Sequence, residues 1–255
     1  MSTFHINSKG SRTVRFVAML LGVLRVVGGV EAEPTFVEAG FSAEAVATFP
    51  PYSPMGVAFG PDGRLVVWQK AGQVRLVKNG QLLATPFVDL SAHVNQYGDR
   101  GLVGLAVDPH FATNGYVYLA YVYEGGGNVQ DAGPKISRLS RVQADPANPD
   151  VALAGETLLV DNIPSEARTH AIAALRFGVD GKLWVAIGDG ATELAVDPLA
   201  LRAQDLNSWN GKLLRLNADG SAPSDNPFYD ASAPDRKSTR LNSSHIQKSR
   251  MPSSA

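Results

Sequence analysis

One pattern occurs twice along this chain and limits what it can fold into. Met55-Gly56-Val57-Ala58-Phe59 runs into Gly60-Pro61-Asp62-Gly63 and then Arg64-Leu65-Val66-Val67-Trp68. Ile172–Phe177 runs into Gly178-Val179-Asp180-Gly181 and then Lys182-Leu183-Trp184-Val185-Ala186-Ile187. Each copy reads as an apolar strand, an Asp-Gly turn, a basic residue and a second apolar strand. Asp tolerates the bridge region of backbone space, and the final Gly supplies the positive φ that closes such a turn. A looser third copy joins Leu102–Val107 to Tyr116–Tyr123 through an Asp108-Pro109-His110-Phe111 stretch and the turn Ala112-Thr113-Asn114-Gly115. Strand periodicity puts Tyr116 and Tyr118 on one face of the last strand, and Tyr121 and Tyr123 on the other.

Short strands in tandem hairpins, with few helical stretches, predict an all-β chain, specifically a β-propeller of four-stranded blades. Further strands are expected at Phe41–Ala47, Val74–Val77, Leu82–Phe87, Ile136–Val142, Thr157–Val160 and Gly211–Leu216, with Asn79-Gly80 a strong hairpin turn. Residues 191–210 read as a polar connection. At roughly 40–50 residues per blade, residues 33–235 accommodate three or four blades. A propeller removes its strand edges by closing on itself, so the expectation is a partial propeller with apolar faces, such as those of Leu65–Trp68 and Leu213–Leu216, left open.

Charge divides the chain into three parts. Residues 1–32 carry Lys9, Arg12, Arg15 and Arg25 against Glu31, and residues 236–255 carry five basic groups and no acid. The body between holds 14 basic and 23 acidic residues. An acidic body argues against nucleic acid as a partner. With no Cys in the chain, disulfides are excluded. Basic residues ahead of the apolar run Phe16–Val30, with Val30-Glu31-Ala32 behind it, read as an export signal over residues 1–32. That places the mature protein in the periplasm or outside the cell, without stable membrane association once the signal is cleaved. Arg236–Ala255 loses strand periodicity and resembles a translated adapter sequence, so it reads as a non-native or disordered tail that packs against nothing.

The 172–187 hairpin carries the candidate chemistry at its open end. If Gly178–Gly181 is a four-residue loop, Phe177 faces Lys182, and the same register puts His170 opposite Asp189. A two-residue loop instead puts His170 opposite Ala191. Opposed residues have Cβ atoms roughly 4.5–5.5 Å apart, so a carboxylate there can hold one imidazole nitrogen and leave the other to take a proton. The alternatives are a hydrogen-bonded structural His170 at a strand start and an Asp189 that only shapes its Gly-Asp-Gly turn. His110 reads as a surface turn residue, Asn217-Ala218-Asp219-Gly220 as a plain turn, Gly125–Gly127 as a flexible loop, and Trp68, Trp184 and the tyrosines as packing between blades.

With these motifs in order, the chain resembles the soluble quinoprotein glucose/sorbosone dehydrogenase family. The resemblance rests on Gly101-Leu102-Val103-Gly104-Leu105-Ala106-Val107-Asp108-Pro109-His110-Phe111, on His170 to Asp189, on Ala203-Gln204-Asp205, on Asn210-Gly211-Lys212-Leu213-Leu214-Arg215-Leu216 and on Asp225-Asn226-Pro227-Phe228. It implies a six-bladed propeller, of which this chain holds about three or four blades. It implies pyrroloquinoline quinone (PQQ) with calcium as cofactors, a small-molecule sugar as substrate and an unidentified electron acceptor. It further implies His170 as catalytic base and quinone contact, Asp189 as the carboxylate that orients it, and Asp99 at a position that contacts the quinone. Glucose dehydrogenases place Gln where Asp99 stands and Asp where Thr169 stands. A carboxylate beside an anionic cofactor needs a counter-charge, and Arg100 is the expected neutraliser. The calcium ligands and the remaining cationic cofactor contacts are expected beyond this sequence. A non-catalytic propeller that binds a protein or a glycan, and a calcium-dependent lactonase-like propeller, are the alternative functions.

Overall fold

In a computed structural model of the 255-residue chain, residues 45–192, 194–227 and Tyr229 are described in full. The backbone alone is described for strands Ser2–Asn7, Thr13–Ala18, Phe41–Ala45 and Thr239–Asn242. Three successive sheets follow the three sequence repeats. The first has the order Pro54–Phe59, Leu65–Gln69, Gln73–Lys78, Gln81–Leu82, with Val88–Asp89 also paired to the third strand. The second has the order Leu102–Val107, Tyr116–Tyr123, Lys135–Asp145, Asn148–Ala152, with Thr157–Ser165 alongside the third strand. The third runs Ile172–Phe177, Leu183–Ile187, Lys212–Leu216, Thr239–Asn242. All pairings are antiparallel meanders, and the first strands of the three sheets lie side by side. This is the blade arrangement of a propeller, with three blades in the described residues.

Strand alternation builds two interblade cores. From Tyr116–Tyr123, Val117, Leu119 and Tyr121 pack against Val66, Trp68, Val74 and Leu76 of the first blade. Tyr118 and Ala120 of the same strand pack the other way, against Leu175, Leu183, Val185 and Leu214 of the third blade. The middle sheet is therefore apolar on both faces, which is why its strand reads as a near-continuous apolar run. Tyr118 Oη, buried between blades, donates to Asp108 Oδ2 (3.0 Å) or to the Ala218 carbonyl (2.9 Å). Burial, with the nearby Asp108 carboxylate, pushes its phenol well above the ordinary tyrosine range, so it stays a neutral donor. Arg138 and Arg141 stack their guanidinium groups on the rings of Tyr123 and Tyr116. The outer face of the first blade, where Leu65 and Val67 lie, is covered by Val46, Ala47 and Phe49. The sequence expectation of an open apolar face there is corrected: the segment before the first blade folds over it.

The Asp-Gly turns share one conformation, and each has its final Gly at the expected positive φ (79° at Gly63, 70° at Gly181). Gly60 N donates to Arg64 O and Gly63 N to Gly60 O; Gly178 N donates to Lys182 O and Gly181 N to Gly178 O. Asn79 and Gly80 both have positive φ (51° and 75°), as a two-residue hairpin turn requires. Two local readings change. The Ala112–Gly115 turn is one turn of helix over Phe111–Asn114, ended by Gly115 in the left-handed region. The polar connection contains a 3-10 helix, Pro198–Ala203, whose start is fixed by the Asp197 carboxylate accepting from Leu199 N. The strands Ser2–Asn7 and Thr13–Ala18 fall within the residues read as an export signal and pair with each other, the first also with Phe41–Ala45. In the segment read as a tail, Thr239–Asn242 lies as a strand beside Lys212–Leu216; residues 243–255 lie outside the described residues.

Two outcomes follow for stability. A Cβ at Gly104 would run into the Ala173 carbonyl of the neighbouring blade, which is backbone and cannot swing aside. Gly104→Ala should therefore destabilise the fold by about 1–3 kcal/mol, read as a lower denaturant midpoint. Asp62 is held below the usual carboxylate range by its hydrogen bonds from Arg64, which also donates to Pro149 O in the second blade. A depressed carboxylate stabilises the fold above its unfolded pKa, and that contribution is lost as pH falls through the lower folded value. Asp62→Asn should flatten the loss of stability below about pH 4, by less than about 1 kcal/mol because the carboxylate is partly solvated. Acid titration of the melting temperature measures it.

Candidate active site

His170 lies just before the first strand of the third blade, and Asp189 just after its partner. The route by which they meet differs from the simple register count. At the turn the loop holds five residues, so Phe177 faces Leu183 rather than Lys182. A bulge between Ile172 and Leu175 then takes up one residue, and Ile172 faces Ile187. Continued through Gly188 N to Ala171 O (2.9 Å) and Gly190 N to His170 O (3.0 Å), this returns His170 to the level of Asp189. The other two blades carry a bulge at the same place in their inner hairpins, between Pro54 and Gly56 and opposite Ala120/Tyr121. The bulge is thus a property of the repeat.

The imidazole Nδ1 of His170 lies 3.0 Å from Asp189 Oδ1. A carboxylate at that distance places the proton on Nδ1 and leaves Nε2 as the acceptor. The same Oδ1 accepts from Ala191 N (3.0 Å), so the carboxylate is fixed before it meets the ring. The histidine side chain is 47% exposed and the aspartate 19%, an arrangement of an accessible ring on an anchored carboxylate. His170 has φ of +54°, uncommon for a residue with a Cβ. Gly188 permits it: a Cβ there would overlap the His170 carbonyl. Thr169 Oγ1 donates to Ala191 O (3.2 Å), and Asn210 Nδ2 donates to both Pro164 O (2.8 Å) and Gly188 O (3.4 Å), so both arms of the dyad are stitched together.

The loop Gly98–Gly101 comes from the second blade to the same end of the molecule. Asp99 N donates to Arg168 O (3.0 Å), two residues before His170, and the Asp99 side chain is exposed. Arg100 departs from its expected role. Its side chain is wholly buried and turns away from solvent to donate to Ser165 O, Glu166 O, Ala167 O and Asp131 O at 3.0–3.3 Å. The expectation that it neutralises Asp99 is corrected, because its donors are taken up by backbone carbonyls of the arm before His170 and of Asp131. Lys70, from the first blade, instead reaches this loop with its ammonium on Gly98 O.

Other elements take their expected places. His110 is exposed in its turn, 3.5 Å from Asp108. The Asn217–Ser221 turn closes on its own backbone. Sequence reasoning missed the Glu166–Arg202 pair, bidentate at 2.7 Å, and Asn210. Asn210 sat inside a recognised motif without a role, whereas nothing in the sequence marked Glu166.

The family model described as Glucose / Sorbosone dehydrogenase matches residues 52–238. Quinoprotein glucose dehydrogenase B of Acinetobacter calcoaceticus is 28% identical over 190 residues, 69% of this chain and 39% of that protein. Hedgehog-interacting protein of Homo sapiens is 27% identical over 192 residues, 70% of this chain and 27% of that protein. A solved Thermus thermophilus structure, described as an oxidoreductase (glucose dehydrogenase), superposes with a TM-score of 0.59 at 28% identity, covering 72% of this chain and 49% of that one. The chain thus spans less than half the length of these relatives. On the extent of the family match and the shared propeller fold, the chain belongs to the glucose/sorbosone dehydrogenase family.

Proposed function

We propose that this chain supplies the base-bearing part of a PQQ-dependent dehydrogenase that oxidises a sugar hydroxyl. The carrying observation is the half-exposed His170 with its Nδ1 on an anchored Asp189. Held this way, Nε2 faces solvent as a proton acceptor at the end of the blades where the inner strands begin. A base works when it comes within about 2.6–3.2 Å of the proton it removes. His170 Nε2 takes the hydroxyl proton of the sugar, and the resulting imidazolium is stabilised by the Asp189 carboxylate on the other nitrogen. When bound, PQQ supplies the acceptor for the hydride that leaves the same sugar carbon, which becomes a carbonyl. Asp99 lies at the rim of this end, on the loop whose Gly98 carbonyl accepts from the Lys70 ammonium. No step is assigned to calcium, whose ligands are expected in the rest of the protein.

The setting proposed is the periplasm or the cell exterior, with a small sugar as substrate. No helix among the described residues is long and apolar enough to cross a membrane. A protein-binding, non-catalytic propeller is the second reading, favoured by the likeness to a relative named for its interaction with another protein.

In the complete protein loaded with PQQ and calcium, His170→Ala should lower aldose-dependent dye reduction by about 10²–10⁴-fold, the usual contribution of a general base. PQQ retention and melting temperature should stay close to wild type. Asp189→Asn should lower it less, since the amide oxygen still accepts from Nδ1–H while the negative charge is gone. Wild-type turnover in the His170 variant would remove the base from this assignment. Absence of any PQQ-dependent turnover in the unaltered protein would favour the binding reading.

A further inference from the structure

We infer that Arg100 is a positioning residue for the His170–Asp189 dyad, acting across the blade boundary through the backbone of Ser165–Ala167. The inference rests on the proposed role of His170, and extends it to a residue that touches neither substrate nor cofactor. Arg100 makes five hydrogen bonds to four carbonyls, three of them on consecutive residues. A planar guanidinium has five N–H donors in a fixed fork, so it can hold several oxygens of one bend in a single arrangement. Lysine has a point charge on a flexible stem and cannot.

The held bend leads directly to the dyad. Ala167 N donates to Gly190 O (3.3 Å), and Gly190 N donates back to His170 O (3.0 Å). The residue between those two glycine contacts and the ring is Asp189 itself. Moving the Ser165–Ala167 carbonyls therefore moves the carboxylate and the imidazole relative to one another. The bend is a place where the backbone needs holding, because His170 adopts a left-handed φ.

A second layer fixes the guanidinium. Its fourth acceptor, Asp131 O, also accepts from Asn95 Nδ2 (2.9 Å). Asn95 is fully buried, and its amide donates as well to Glu124, which pairs with Lys135 at 2.9 Å. Burial lowers the Arg100 pKa, while Asp131 and Glu124 oppose that, and the group remains a cation. The layer is built entirely from the second blade, so the second blade sets the orientation of a dyad carried by the third.

The test needs no cofactor. In the full chain uniformly labelled with ¹⁵N, the His170 Nδ1–H resonance is identified by its loss in His170→Gln, and Asp189→Ala shows the signal of an uncoupled ring. Arg100→Lys should raise the exchange rate of that proton, and of the Ala167 and Gly190 amides, at least tenfold. The Gly178 and Gly181 amides, at the far turn of the same hairpin, should be unchanged; a merely structural role would speed all of them alike. Should Arg100→Lys not fold, the unaltered chain is heated below its melt instead, and the Arg100 guanidinium and His170 Nδ1–H signals should broaden together. An unchanged His170 signal in folded Arg100→Lys, or a His170 signal that outlasts that of Arg100 on heating, overturns the inference. Either result leaves the base assignment standing, because that is read separately from turnover of His170→Ala.

Discussion

The structure depends on face-to-face burial of neighbouring sheets. A strand such as Tyr116–Tyr123 presents Val117, Leu119 and Tyr121 to one neighbour and Tyr118 and Ala120 to the other. Each large buried side chain contributes roughly 1.5–3 kcal/mol, and neither face finds a partner within its own sheet. A blade is therefore stable only beside another blade. The segment Val46–Phe49, folded over Leu65 and Val67, meets the same requirement at the outer side of the first blade. Polar contacts refine this packing. Tyr118 bridges towards Asp108 and Ala218, and Arg141 donates to the same Ala218 carbonyl.

The stacking also determines where chemistry can occur. Strands of an inner hairpin are buried along their lengths, so accessible polar groups collect at their ends. At one end lie the tight Asp-Gly turns, whose aspartates are engaged by Arg64 and Arg215. At the other lie the longer segments that enter each blade, including Gly98–Gly101 and Glu166–His170. These segments meet because adjacent inner strands start at the same level, and the bond from Asp99 N to Arg168 O records it. A histidine there gains exposure from being on a loop and precision from being next to a strand.

Within a family whose relatives include both a quinoprotein sugar dehydrogenase and a protein named for its binding partner, the fold does not decide the function. The distinction rests on local detail. A turn-forming aspartate needs only its own backbone, and Asp189 has that bond from Ala191 N. It has the imidazole as well, held by a histidine in an unfavourable backbone region and by a glycine that makes room for it. That combination is more than the turn requires.

The repeat of hairpins, their Asp-Gly turns and the two-faced tyrosine strand were legible in the sequence because they follow from local rules: side-chain alternation, turn chemistry and apolar run length. The pairing of His170 with Asp189 was legible as well, although the count behind it was one residue off at the turn and one residue compensated by the bulge. Sequence does not show a bulge that has no glycine to mark it, and Ala173-Ala174 gave no such sign. The direction of Arg100 was decided only by tertiary structure. Next to Asp99 in the chain, it reads as a counter-charge. In the fold it faces inward, because Ser165–Ala167, more than sixty positions away, brings three carbonyls to its guanidinium. Local chemistry fixes strands and turns; unsatisfied backbone oxygens brought together by packing decide which charged side chain must serve them.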